Sequence, residues 1–111
     1  MNQVEFERLA GQVLEGLFEQ IESQLGDCLD VDLEGGILTI ELSDGATYIV
    51  NKHAPNRELW LSSPKSGAWH FARGEAGWRS TRPGPNGPLG FPAVLAEELA
   101  AACGRAVALS A

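Results

Sequence analysis

Carboxylates are the side chains whose number and spacing in this sequence could do chemistry. Eleven of the fifteen acidic residues fall within the first 44 positions of a 111-residue chain, against one base, Arg8; that segment carries −10 and the remainder +3. Glu15, Glu19 and Glu22 recur at i, i+4 and i+7, followed by Asp27, Asp30, Asp32 and Glu34. Ionised carboxylates are hard oxygen donors suited to Fe²⁺, Mn²⁺, Mg²⁺ or Ca²⁺, and without a folded cage they bind such ions weakly and with little selectivity. A charge this polarised also attracts a cationic partner. A face that merely keeps a protein soluble interleaves Lys and Arg, and residues 9–51 contain neither.

Other chemistries find less support. Asp30, Asp32, Glu34-Gly35 and Glu41 nearly reproduce the spacing of an EF-hand calcium loop. However, residues 29–42 alternate with period two, and Asp44-Gly45 turns the chain where an exiting helix would be needed. No Ser/His/Asp constellation, Gly-rich phosphate loop or nucleotide fingerprint is present. Cys28 and Cys103 lie far apart without CxxC or Cys/His spacing, which argues against a disulfide framework, structural zinc or a dithiol motif and favours reduced thiols in a cytoplasm. Cys28 reads as an ordinary strand-edge residue, with a softer metal ligand as the alternative. Arg73, Arg79 and Arg82 are too few to form a nucleic-acid stripe on an acidic chain. No apolar run reaches the roughly 18 residues of a membrane span, and no secretory or organellar presequence is expected.

The elements that must position these residues follow from hydrophobic period. Phe6, Leu9, Ala10, Val13, Leu14, Leu17, Ile21 and Leu25 give an amphipathic helix over 4–25, closed by Gly26. Leu29, Val31 and Leu33, then Leu38, Ile40 and Leu42 across Gly35-Gly36, give a β-hairpin. Strands are predicted at 46–51, 58–62, 68–72 and, briefly, near Trp78. Their short connections make the sheet an antiparallel meander. Residues 83–88, Pro-Gly-Pro-Asn-Gly-Pro, read as an irregular loop. A second helix begins around Pro92 and stops at Gly104, after which Val107 to Leu109 pack back on the body.

The expected fold class is therefore α+β, a two-layer α-β sandwich in one domain, 1–111, with the N- and C-terminal helices on one face of the sheet. The other face is left open. Leu59 and Leu61 take the core by parity, so Trp60 points to the open side, and by the same rule His70 opposes Trp69 and Phe71.

Asn51-Lys52-His53-Ala54-Pro55-Asn56-Arg57-Glu58-Leu59-Trp60-Leu61-Ser62-Ser63-Pro64-Lys65-Ser66-Gly67 is the most specific stretch of the chain. It resembles the frataxin family, bacterial CyaY type, whose pattern runs Asn-Lys/Arg-Gln-x-Pro, Gln-Ile/Val-Trp-Leu, Ser-Ser-Pro and Ser-Gly. His53 and Glu58 stand where that pattern has Gln, and Ala72 where many relatives have Asp. The resemblance extends to the acidic first helix, Gly35-Gly36-x-Leu38-Thr39-Ile40, His70-Phe71, and Leu95-x-x-Glu98-Leu99 in the last helix.

The resemblance implies an iron-binding regulator or adaptor of iron-sulfur cluster assembly that docks on a cysteine desulfurase and its scaffold protein. It would bind Fe²⁺/Fe³⁺ weakly through an acidic ridge of Glu15, Glu19, Glu22, Asp27, Asp30 and Asp32. Asn51, Lys52 and Trp60 match the family's partner-binding positions. A non-catalytic cytoplasmic bacterial protein is expected, monomeric unless iron assembles it, with no organic cofactor, nucleic acid or membrane among its partners. The alternatives are a ferroxidase or iron-storage enzyme, for which the paired Glu-x-x-His helices of di-iron sites are missing, and an acidic interaction module unrelated to iron.

Overall fold

The computed structural model describes residues 1–75, 77–84 and 87–111. Helix α1 spans Gln3–Leu25. Asn2 caps it, its side-chain oxygen accepting the Glu5 amide at 2.8 Å, which satisfies one of the donors a helix start leaves unpaired. Its predicted stripe is buried at Phe6, Ala10, Val13, Leu14, Leu17, Ile21 and Leu25.

Seven strands follow: β1 Asp30–Glu34, β2 Ile37–Glu41, β3 Thr47–His53, β4 Glu58–Ser63, β5 Gly67–Gly74, β6 Gly77–Gly84 and β7 Gly87–Gly90. They form one antiparallel sheet in the order β1-β2-β3-β4-β5-β6-β7, the predicted meander. Gly35 and Gly36 turn the first hairpin with φ of 60° and 77°, a left-handed pair that glycine adopts without penalty. Helix α2, Ala93–Cys103, ends where Gly104 takes φ 63° and donates its amide to the Ala100 carbonyl.

Both helices pack on the sheet, and one core joins them to it. Alternate strand positions Leu38, Ile40, Tyr48, Val50, Leu59, Leu61, Trp69, Phe71 and Trp78 meet the helical stripes there, with Val94, Leu95 and Leu99 from α2. The positions of opposite parity form the open face.

Two expectations are corrected. The Pro- and Gly-rich segment 83–88 is not simply a loop: Pro83 and Gly84 end β6, Gly87 and Pro88 begin β7, and Pro83 registers with Pro88. Residues 85 and 86 lie outside the described residues. Proline cannot donate to a ladder, but β7 is the last strand of the sheet, where an unpaired outward side is tolerated. The second correction concerns sulfur. Cys28 and Cys103, expected as reduced thiols, form a disulfide, with Cα atoms 6.1 Å apart across a sequence separation of 75. Sequence spacing carries no sign of this, because the pairing follows from the chain turning out of α1 beside the last turn of α2.

Glu98 fixes α2 to the sheet. Its carboxylate accepts hydrogen bonds from the Tyr48 hydroxyl at 3.1 Å, Ser63 at 2.6 Å and Ser66 at 2.5 Å. Ser63 Oγ in turn accepts the amides of Lys65 and Ser66, both at 3.0 Å. The Ser-Ser-Pro-x-Ser-Gly segment is thus a turn built to grip the second helix. Burial, the Glu98 charge and the hydrogen bond to it push the Tyr48 phenol up to about 12, because an anion there would be both desolvated and repelled.

Candidate functional site

Three strands bring an aromatic column to the open face. Trp60 on β4 lies opposite Asn51 on β3 and His70 on β5. Its indole is sandwiched between His53, with ring centroids 3.8 Å apart, and His70, 4.1 Å apart, each 9° from parallel. The Trp60 Nε1 donates to Glu58 Oε1 at 2.9 Å, and His70 Nδ1 stands 3.9 Å from the same oxygen. This explains why a tryptophan on an uncovered sheet face is only partly exposed: both π faces are occupied. His53 Nδ1 is buried without a hydrogen-bond partner among the described residues. Beside the column, Ile37 and Ile49 are exposed at 46% and 39%, extending an apolar strip along β2 and β3.

The family-matched triplet is divided by parity. Asn51 and Trp60 are cross-strand neighbours on the open face. Lys52 registers with the core residue Leu59, points to the helix side, and places its ammonium 2.6 Å from Glu7 of α1. That contact holds the Glu7 carboxyl below its ordinary range, chiefly through the hydrogen bond from Lys52.

The acids divide similarly. Asp30, Asp32 and Glu34 are exposed on β1 with open-face parity, while Val31 and Leu33 turn to the core. Asp30 registers with Glu41, and Asp32 with Thr39. Asp30, Asp32 and Glu41 line a shallow cleft of about 210 Å³ with Val31 and Thr39. Glu15, Glu19 and Glu22 are exposed on α1, in the other layer. Asp27 is already engaged: Arg105 forks onto both of its oxygens at 2.9 and 3.1 Å, and this hydrogen bonding holds the Asp27 carboxyl below its usual range.

Among the described residues no three His, Cys, Asp or Glu side chains converge as a metal cage. The exposed carboxylates therefore form an open surface of hard oxygen donors rather than an enclosed site. Glu41 lies outside the ridge expected from sequence. A signal for it exists there, because a two-residue turn at Gly35-Gly36 places residue 41 directly opposite residue 30. His53 and His70, the stacking partners of Trp60, are individually visible in the sequence, but their convergence depends on the register of three strands.

Residues 1–105 match the family described as the frataxin-like domain. The chain is 46% identical over 99 residues to the iron-sulfur cluster assembly protein CyaY of Neisseria meningitidis serogroup B, covering 86% of this chain and 88% of the relative. It is 44% identical over the same length to the protein of that name from Neisseria gonorrhoeae, with the same coverage. Among solved structures, the frataxin of Psychromonas ingrahamii superposes with a TM-score of 0.83 at 25% identity over the whole of both chains. The trimeric frataxin of Saccharomyces cerevisiae, complexed with ferrous iron, superposes with a TM-score of 0.76 at 32% identity over 86% of each chain. The chain belongs to the frataxin-like family.

Proposed function

We propose that this member of the frataxin-like family serves iron-sulfur cluster assembly as a non-catalytic adaptor in the bacterial cytoplasm, carrying iron as cargo on its acidic surface while docking on a cysteine desulfurase and its scaffold protein. The observation that carries this reading is the open sheet face, where the His53-Trp60-His70 column and the exposed Ile37 and Ile49 share one surface with the carboxylate rows of β1 and β2. A half-exposed tryptophan beside uncovered branched aliphatics is the composition of a protein interface. The relatives' role in cluster assembly gives that interface its context.

Asp30 stands directly opposite Glu41, and like charges so placed repel by a few tenths of a kcal/mol. A cation between them relieves that repulsion, which supports Asp30, Asp32 and Glu41 as one resting place for Fe²⁺. The exposed Glu15, Glu19 and Glu22 supply a second strip of donors on α1. With no enclosing cage among the described residues the affinity is weak, as a carrier of cargo requires, and the same charges attract a basic patch on the desulfurase.

Binding of the purified desulfurase tests the reading. Affinity should fall with rising salt, the Debye length being about 8 Å at physiological ionic strength, and the double reversal Glu19→Lys with Asp30→Lys should abolish it in a folded protein. Unchanged affinity sinks the acidic-docking role. Trp60→Arg probes the other surface: if it folds and still modulates cluster synthesis normally, the open face is not the contact. Oxygen uptake on adding Fe²⁺ to the pure protein separates an adaptor from a ferroxidase, because repeated turnovers would overturn the non-catalytic assignment.

A further inference from the structure

The C-terminal residues are fastened to α1 by three devices in series. The first is covalent, the bond between Cys103 in the last turn of α2 and Cys28 just beyond α1. Two residues later Arg105 forks onto Asp27 and also donates to the Gln24 carbonyl at 3.0 Å. The third is a ladder of side-chain amides. Gln24 donates to the Ala108 carbonyl at 2.8 Å and accepts its amide at 3.0 Å, and Gln20 treats Ser110 the same way at 3.0 and 2.8 Å. The spacing fits: four residues of helix advance about 6 Å, and two residues of extended chain advance about 6.6 Å. Two glutamines one turn apart therefore imitate the edge of a strand.

The polar devices are solvent-exposed, Arg105 and Asp27 being 42% and 70% accessible, while Val107 and Leu109 add apolar contacts to the core but stay only partly buried. Exposed ion pairs and amide contacts are individually weak, so their persistence depends on the two segments being kept close, as a tether does by raising effective concentration. The disulfide is that tether. Neither cysteine is part of the fully buried core, which α1, the sheet and α2 complete without them. Cys28 also lines two surface clefts, of about 190 and 240 Å³, the second shared with Lys65. The Cys28 side of the bond thus borders open clefts, the first lined also by Asp27, Asp30 and Glu41 and the second by Asp44 beside Lys65.

We propose that the Cys28–Cys103 disulfide is a thiol-exchangeable switch that fastens residues 105–111 to α1 and caps Asp27 when oxidised, and frees both when a dithiol reduces it. One thiolate of the reductant attacks a disulfide sulfur, the Cys28–Cys103 bond breaks, and the departing thiolate takes a proton from water. The second thiol of the reductant, losing its proton, then attacks the mixed disulfide and displaces the remaining cysteine thiolate, which takes up the second proton. Two electrons and two protons pass to the cysteine pair, and the reductant leaves as its own disulfide. Reduction returns the Asp27 carboxylate to the acidic surface with a soft thiol next to it in the chain. This inference does not depend on the iron-sulfur role, because its readouts are the chain's own thiols and amides.

The test uses the full chain, oxidised with diamide or reduced with dithiothreitol under native conditions, with alkylation counting free thiols and NMR following amide exchange. In the oxidised protein the Ala108 and Ser110 amides are protected; complete reduction should speed their exchange about tenfold or more while Val50 and Leu61 keep theirs. Cys103→Ser should reproduce the reduced pattern without reductant, and Arg105→Ala should keep the disulfide while exposing Asp27. The proposal is overturned if diamide forms no bond, if the bond resists dithiothreitol until the protein unfolds, if tail protection survives reduction or Cys103→Ser, or if reduction removes protection from Val50 and Leu61 as well.

Discussion

Replacing Glu98 tests whether the serine-rich turn is scaffold or docking surface. The Glu98 carboxylate is the common acceptor for Tyr48, Ser63 and Ser66, and it links α2 to β3 and to the β4–β5 turn. In Glu98→Ala the Tyr48 hydroxyl, on a side chain with no solvent exposure, is left without its acceptor; an orphaned buried group of this kind costs about 1–3 kcal/mol. Ser63, 7% exposed, loses its acceptor but still receives two amides, whereas Ser66 is only part-buried and can rehydrate, so the serines add about 1 kcal/mol. The expected loss is about 3 kcal/mol, or a Tm lower by about 12 °C at roughly 4 °C per kcal/mol for a chain of this length. Glu98→Gln keeps one acceptor oxygen and should lose about 1 kcal/mol. Combining Glu98→Ala with Tyr48→Phe should cost less than the sum by about 1 kcal/mol, since the second change removes the orphaned donor. Urea unfolding of wild type, both Glu98 variants, Tyr48→Phe and the double variant, read by tryptophan fluorescence, supplies the free energies, and thermal unfolding supplies the Tm. A Glu98→Ala variant within about 0.5 kcal/mol of wild type, or strict additivity, would refute the reasoning.

Tyr48 is the chain's only tyrosine, so tyrosinate absorbance reports it alone. Its ordinary value is 10 and its folded value about 12; between the two the unfolded chain has released a proton that the folded chain retains, so this contribution to stability is complete below pH 10 and lost as pH rises toward 12. A folded-state midpoint near 10 would contradict the burial of the phenol against Glu98. Leu17→Ala, at a position with no exposure, should cost about 2–5 kcal/mol in chemical denaturation. Lys52→Ala should change the binding of an assembly partner less than Trp60→Arg does, because the Lys52 ammonium is turned to Glu7 and away from the open face; calorimetry that ranks them the other way would place the docking surface elsewhere. The Asp27 carboxyl, held low by Arg105, should keep that clasp until acid reaches below the ordinary carboxylate range, with the NMR signature of the Arg105 pair disappearing as pH falls through Asp27's depressed value; a signature that vanishes well above that range would show that Arg105 does not hold the Asp27 carboxyl low.

The elements are legible wherever one physical period governs a whole segment. The stripe from Phe6 to Leu25 and the alternations around Gly35-Gly36 are repeated many times over, so single exceptions do not erase them. The β6–β7 hairpin is hidden because Pro83 and Pro88 argue locally against strand; Pro88 is acceptable on the sheet's last strand, and Pro83 because it lies beyond Ser80, the last β6 residue registered with β5. The site is half legible. Parity puts Trp60 on the open face, but Asn51 and Lys52, grouped with it as matches to the family's partner-binding positions, are sent by the pleat to opposite sides.

What the sequence by itself determined was therefore what repeats along the chain: the acidic first third, the two amphipathic helices, the meander and the core parity, together with the family motif around Trp60. Pairings between residues distant in sequence were decided only by tertiary structure. The Cys28–Cys103 bond, the Arg105 clasp on Asp27, the histidines on both sides of Trp60 and the Glu98 anchor each join such groups. Periodicity is a local property, read over a few residues, whereas these pairings depend on strand register and on where each helix ends, which are fixed only when the core closes.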